Sequence, residues 1–212
     1  MRRRSGADAP KKMTAEARRN SILKTALTII SQFGYWGFTI RDVAQAEGIT
    51  EAGLLYYFRN KEELLVETLK YSDYVNQLAI AEHLGVSGVS GEVNDGIAYH
   101  CDYGLKIIST ATAETNVHRP QLVNLYVLLQ AEALSEDHPA HDYFQIREAN
   151  VLKEYMLAAS RDGVQDSKRT AVQVLGAMDG LQLRWLTGGC TIDLASEWKA
   201  LIELIIPGPA RG

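Results

Sequence analysis

The sequence predicts an all-α chain, with a unit of three short helices near its N-terminus and a larger helical unit after it. Apolar residues recur at three- and four-residue spacing through most of the chain, and Thr14, Thr39, Thr50 and Asn60 each stand where a helix would be capped. The unbroken run LLYYF, residues 54 to 58, could suit a buried strand, but its charged flank RNKEE does not. A short helix that buries one side and offers hydroxyls and cations on the other accounts for both.

Composition sets the frame. With 212 residues, 46% of them hydrophobic, the chain can bury one good core and a small second domain. Two cysteines, Cys101 and Cys190, give neither a disulfide framework nor metal-type spacing, so a reducing interior is expected. No stretch approaches the roughly 18 apolar residues of a membrane span, so a cytoplasmic protein with no membrane partner is expected. Residues 1 to 69 hold 11 Lys and Arg against 8 Asp and Glu, whereas the remainder holds 11 against 18. That asymmetry suits an N-terminal part that meets a polyanion, although two solvated faces of one domain would show it too.

The elements follow in order. Residues 1 to 13, with Arg2, Arg3, Arg4, Lys11 and Lys12, carry no apolar repeat and read as a basic arm. Thr14 caps a helix whose stripe is Ile22, Leu23, Ala26, Leu27, Ile30 and Phe33, stopped by Gly34. Thr39 with Asp42 three residues on forms a capping box for a second helix, with Ile40, Val43 and Ala44 inside and Gly48 at its end. Thr50 caps a third helix, reaching Phe58; Asn60 with Glu63 opens a fourth, whose apolar face is Leu64, Leu65 and Leu69. The second and third helices, joined through the tight turn at Gly48, make a helix-turn-helix arrangement. In that geometry the helix from Thr50 to Phe58 would enter a major groove, with Leu54 and Phe58 buried and Glu51, Ala52, Leu55 and Tyr56 turned outward.

At these residues the chain resembles the TetR family of bacterial transcriptional regulators. The matching run is FGYWGFTIRDVAQAEGITEAGLLYYFRNKEELL, residues 33 to 65, and the resemblance reaches back to about Arg18. A Gly-aromatic loop, Thr before the second helix, a Val-Ala pair, the Gly turn, an aromatic pair then Phe, and a Lys opening the fourth helix occur in register. The resemblance implies phosphate contacts from Thr39, Thr50, Tyr57 and Lys61, and proximity to base edges for Glu51, Ala52, Gly53 and Tyr56; Arg41 and Leu55 complete the DNA-binding set. Two positions depart from the commoner pattern: Phe38 stands where Thr is frequent and Leu55 where Tyr is usual. The second change removes a hydroxyl from the DNA side and leaves apolar packing on a thymine methyl as a substitute.

The domain expectation is an arm over 1–13, a DNA-binding unit over 14–69 and a ligand-binding and dimerisation unit over 70–212. The second unit reads as helices near 92–110, 120–134, 141–159, 167–186 and 193–206, with breaks at LGVSGVSG, at Pro139, at Gly163 and at Gly188. RPQLVNLY, EDHPAHDYF and MDGLQLRWLTG look like phrases of an actinobacterial-type branch of the family. On the last two helices Leu175, Gly176, Met178, Gly180, Leu183, Leu194, Trp198, Leu201 and Ile205 form a face broader than one small bundle buries. The resemblance implies a four-helix homodimer interface there, against the alternative of ordinary internal core.

An apolar pocket with a few polar anchors is expected in the second unit, holding an unidentified small-molecule effector. Its expected lining is Tyr99, Tyr103, Ile107, Tyr126, Leu129, Met156 and Trp185, with Gln130 or Arg147 as anchors. Together these imply a homodimeric, ligand-responsive repressor on a palindromic double-stranded operator. The alternative is a metal-dependent enzyme built on His138 and His141 beside Glu136, Asp137 and Asp142, but Pro139 intervenes and those acids suit a helix start. His100, Cys101 and Asp102 are consecutive and would face different ways on a helix, so no catalytic site is expected. No phosphate loop, nucleophile elbow or zinc-protease motif occurs, and no cofactor is expected.

Overall fold

In the computed structural model, the described residues are 13–90, 92, 95 and 96, and 97–208; most of the expected basic arm lies outside them. Among them the chain forms α1 (Ala15–Gly37), α2 (Ile40–Ala46), α3 (Glu51–Leu55), α4 (Lys61–Leu84), α5 (Leu105–Asn116), α6 (Pro120–Glu132), α7 (His141–Arg161), α8 (Ser167–Thr187) and α9 (Leu194–Ile205). A short 3₁₀ turn, Ile97–Tyr99, precedes α5.

Local chemistry explains where the first helices begin and end. The Thr14 side chain accepts the Ala17 N–H at 3.1 Å, and Ile22, Leu23, Ala26 and Ile30 then bury one face completely. At Gly34 the backbone takes φ 66°, a conformation that disfavours any side chain, so the helix kinks there and runs on to Gly37 instead of stopping. The kink turns Phe33 outward to 58% exposure, which removes it from the expected stripe. The α2 capping box is complete: Asp42 N–H donates to Thr39 Oγ1 at 3.2 Å, and Thr39 N–H donates to Asp42 Oδ2 at 2.8 Å. Gly48, at φ 68°, makes the turn into α3.

Helix α3 is one turn shorter than the sequence suggests. Tyr57 and Phe58 both donate their N–H groups to the Leu54 carbonyl, at 2.9 and 3.1 Å, which closes the helix early and swings Phe58 back into the core. Asn60 then caps α4 by accepting the Glu63 N–H at 2.8 Å, while Glu63 reaches back to the N–H of Arg59 rather than of Asn60. Helix α4 runs unbroken from Lys61 to Leu84 and so crosses the expected boundary near residue 69.

Two large apolar clusters and one small one hold the helices. The first joins α1–α4 residues such as Ile30, Phe38, Leu54, Phe58, Leu65 and Leu69 to Leu125 and Leu129 of α6 and to Tyr143 and Phe144 of α7. Full burial of each large aliphatic side chain contributes about 1.5–3 kcal/mol, so α6 and α7 provide a sizeable share of the N-terminal unit's stability. The second cluster joins the end of α4 to α5, α7, α8 and α9 around Leu105, Tyr155, Val174 and Trp198.

Helix α5 starts much later than the 92–110 expectation. Gly104 precedes it, packed so closely on Asp162 that an added Cβ would lie 1.9 Å from a carboxylate oxygen, and Asp162 accepts the Lys106 N–H at 2.9 Å. Thus α5 is capped from the end of α7, a tertiary contact with no local signature.

Candidate DNA-binding face and internal cavity

The exposed side of the helix-turn-helix carries most of the expected DNA-binding residues. Arg41, Glu51, Ala52 and Leu55 are exposed, and Tyr56 is exposed to 83%, whereas Leu54 and Phe58 on the opposite side are fully buried. Tyr57 is half-buried on the first cluster and meets the Tyr56 ring edge-on at 5.3 Å. The Thr50 hydroxyl oxygen accepts the Gly53 N–H at 3.0 Å, which leaves its hydrogen for an outside acceptor. Thr39 is exposed too, but it donates its hydroxyl hydrogen to Asp42 at 2.6 Å.

Lys61 is held in an unexpected way. Its ammonium sits 4.4 Å from the ring centre of Tyr35 and 4.6 Å from that of Phe38, and desolvation there lowers its pKa against the pull of Glu62, Glu132 and Asp42. The Phe38 departure noted in the sequence is therefore one wall of a lysine cradle. Burial and the neighbouring Glu62 push the Tyr35 phenol up to about 12. Behind the face, Glu47 accepts hydrogen bonds from Ser21 at 3.0 and 3.1 Å, pairs with Arg18 at 3.4 Å and binds Thr25, fixing the end of α2 to α1. The sequence reading missed this brace.

Behind the helix-turn-helix, α4, α5, α6, α7 and α8 line a partly open cavity of about 110 Å³. Of the nine residues expected to line a pocket, Tyr126, Gln130 and Arg147 do so. Leu129 belongs to the first cluster and Trp185 to the third, while Met156 packs on the second. Tyr99, Tyr103 and Ile107 lie at the surface because α5 begins beyond the first two and turns Ile107 outward.

The cavity is more polar than the sequence suggests. Asn76 and Gln77 from α4, Asn116 from α5, Glu154 from α7 and Asp179 from α8 line it. Beside it, Asp73 of α4 accepts Arg147 Nε at 3.0 Å and the Tyr126 hydroxyl at 2.5 Å, and it also binds the Tyr143 hydroxyl. Burial, then the charge of Asp73, raises the pKa of both phenols; for Arg147 burial lowers it, and the charge of Asp73 together with Tyr126 and Tyr143 and the hydrogen bond to Asp73 raise it overall. The only sign of this cluster in the sequence is a carboxylate four residues after Leu69 on an apolar stripe.

The two histidines of the enzyme alternative take separate structural partners. His138 is buried, accepts the Ala140 N–H at Nδ1 and stands 3.5 Å from Glu132, while burial lowers its pKa. His141 Nδ1 lies 2.9 Å from the Ala133 carbonyl. Among the described residues no three His, Cys, Asp or Glu side chains converge as metal ligands.

On the last two helices the expected dimer set divides. Met178, Leu194 and Trp198 face the chain's own core, at 5%, 0% and 0% exposure, and are corrected from interface to interior. Leu183 is exposed, Gly176 and Gly180 face open space, and Leu175, Leu201 and Ile205 are half-buried at the edge of the second cluster. Exposed Val172 and Leu204, at 52% and 80%, extend that face.

Comparison with known proteins places this architecture. The profile of bacterial regulatory proteins of the tetR family matches residues 22–68, and the HTH-type transcriptional regulator RutR of Escherichia coli K12 is 39% identical over 54 residues. Over these residues the chain is similar to the DNA-binding region of the TetR family. The RutR match spans 26% of this chain and 26% of RutR. The TetR fold extends over nearly the whole chain. A TetR-family regulator from Agrobacterium tumefaciens matches 91% of it at a TM-score of 0.71 and 15% identity, covering 100% of that structure. The regulator FadR from Bacillus subtilis, solved with stearoyl-CoA, matches 89% of it at 0.68 and 16% identity, covering 98% of that structure. These two likenesses establish a shared TetR fold. Among the described residues, no helix is long and apolar enough to cross a membrane.

Proposed function

We propose that the protein is a sequence-specific, cytoplasmic transcriptional regulator that represses as a homodimer on a palindromic DNA operator and responds to a small effector. The observation that carries this reading is the two-sided α3 unit, anchored by Leu54 and Phe58 and presenting Tyr56 almost fully to solvent within the tetR-family match. Arg41, Thr50, Tyr57 and Lys61 position the backbone, and Glu51, Ala52, Gly53, Leu55 and Tyr56 read bases in the major groove.

Helix α4 links the two ends. Lys61 opens it and Asp73, which binds cavity-lining Arg147 and Tyr126, lies twelve residues along, roughly 18 Å at 1.5 Å per residue. An effector that prefers one arrangement of this cluster would shift the tilt of α4 and the separation of two recognition helices. Two copies paired through the exposed parts of α8 and α9 would set that separation at roughly one helical turn of DNA or a related spacing. FadR bound to stearoyl-CoA supports effector binding in this fold, without naming the effector here.

Selection of bound fragments from a random DNA pool tests the reading. A two-fold symmetric consensus is expected. Enrichment of a single asymmetric site would remove the homodimer, and failure to enrich any sequence would remove specific DNA binding.

A further inference from the structure

The cavity is built to receive hydrogen-bond donors. The side-chain oxygens of Asn76, Gln77 and Asn116 are each buried without a hydrogen-bond partner, and all three residues line it. Asn116 is only 5% exposed, so water outside the protein cannot serve its oxygen. An unsatisfied buried acceptor costs about 1–3 kcal/mol, and three around one space point to a donor-bearing occupant.

Charge narrows the occupant further. Glu154 and Asp179 both line the cavity, whereas Arg147 is the only cation among its described lining residues and already faces Asp73 at 3.0 Å. One Glu154 oxygen accepts the Ala98 N–H at 3.1 Å, and the carboxyl packs directly on Gly96, where an added Cβ would collide with it. Burial raises the Glu154 pKa, which an incoming cation would reverse. Isoleucines 80, 97 and 108 supply an apolar wall.

We propose that this cavity binds a small organic cation with a primary ammonium group, its N–H bonds directed to the amide oxygens and its charge to Glu154 and Asp179. An ammonium offers three donors and no acceptor, matching what the lining lacks. A carboxylate would add acceptors to acceptors. A long acyl chain would leave the three amide oxygens and both carboxylates without donors. The proposal rests on the reading of the chain as effector-responsive.

Calorimetry and thermal melting of the full chain with 1,4-diaminobutane, ethanolamine, 1,4-butanediol, butyrate and stearoyl-CoA, each repeated on selected DNA, test it. One or both amines are expected to bind, raise the melting temperature and change DNA affinity. Glu154→Gln and Asp179→Asn are each expected to weaken amine binding about tenfold or more, the loss of one charge-assisted bond. Glu154→Gln keeps an acceptor for Ala98, and Asp179→Asn keeps the size and shape of the side chain, so at least one variant remains folded. Equal or tighter binding of butanediol, butyrate or stearoyl-CoA, unaltered amine affinity in folded variants, or no amine binding would overturn the cation. Should a non-amine alone shift DNA affinity, effector response stands and the cation fails. Amine binding with unchanged DNA affinity supports the cation site and removes effector response.

Discussion

The Glu132 carboxylate, at the end of α6, accepts the backbone N–H of Tyr35 at 2.8 Å and fills the space beside Gly34. This ties the kink of α1 to the second unit through a charge-assisted bond. An added Cβ on Gly34 would lie 2.3 Å from a Glu132 oxygen, at a φ of 66° that already disfavours it. Gly34→Ala should therefore cost about 1–3 kcal/mol in chemical denaturation. Equal stability would mean that α1 straightens freely.

Removal of the Lys61 cation should weaken binding to all DNA sequences alike. Lys61→Ala is expected to flatten the dependence of log affinity on log salt by about one unit, measured by salt titration. An unchanged slope would leave Lys61 as a partner of the Tyr35 and Phe38 rings alone.

Tyr56 separates recognition from folding because its side chain is almost wholly outside. Tyr56→Ala should cost about 1–3 kcal/mol of operator binding and relax preference at one base position. Its melting should stay within about 0.5 kcal/mol of the parent. Competition against operators altered one base at a time checks the first, and a uniform loss would make Tyr56 a backbone contact.

Asp73→Ala should be severe. It strands the largely buried Arg147 guanidinium and leaves two phenols without their shared acceptor, a loss of about 3–5 kcal/mol. Denaturant titration measures it; a loss below about 1 kcal/mol would show that water replaces the carboxylate.

Glu154 gives a pH test. Its pKa is raised by burial in the folded chain, so its contribution is favourable while it is protonated and is lost as pH rises through the raised value. Glu154→Gln should match the parent in acid and become progressively more stable relative to it toward neutral pH. A constant difference in melting temperature from pH 4 to 8 would contradict this.

The sequence exposed what local chemistry determines. Thr14, Thr39, Thr50 and Asn60 all cap helices, and the buried stripe from Ile22 to Ile30 followed from spacing alone. What depended on contacts between distant residues was not visible. Helix α5 takes its cap from Asp162, Phe33 is turned out by a kink packed on Glu132, and Tyr99 and Tyr103 fall outside the cavity once α5 starts late. Periodicity marked Met178 and Trp198 as apolar-face residues but could not say whether that face met another helix of the same chain or a second copy. The polar cavity escaped because Asn76, Asn116 and Glu154 come from three helices whose registers no local pattern specifies.

The shared first cluster restricts how this headpiece could be exchanged during evolution. Cutting the chain after α4's first turns would strip Leu125, Leu129, Tyr143 and Phe144 from Leu65, Leu69 and their neighbours, leaving an open apolar wound on the fragment. A recombinant carrying a foreign headpiece must therefore bring, or re-evolve, the matching ends of α6 and α7. The reading surface and the seam beneath it are thus inherited together or rebuilt together.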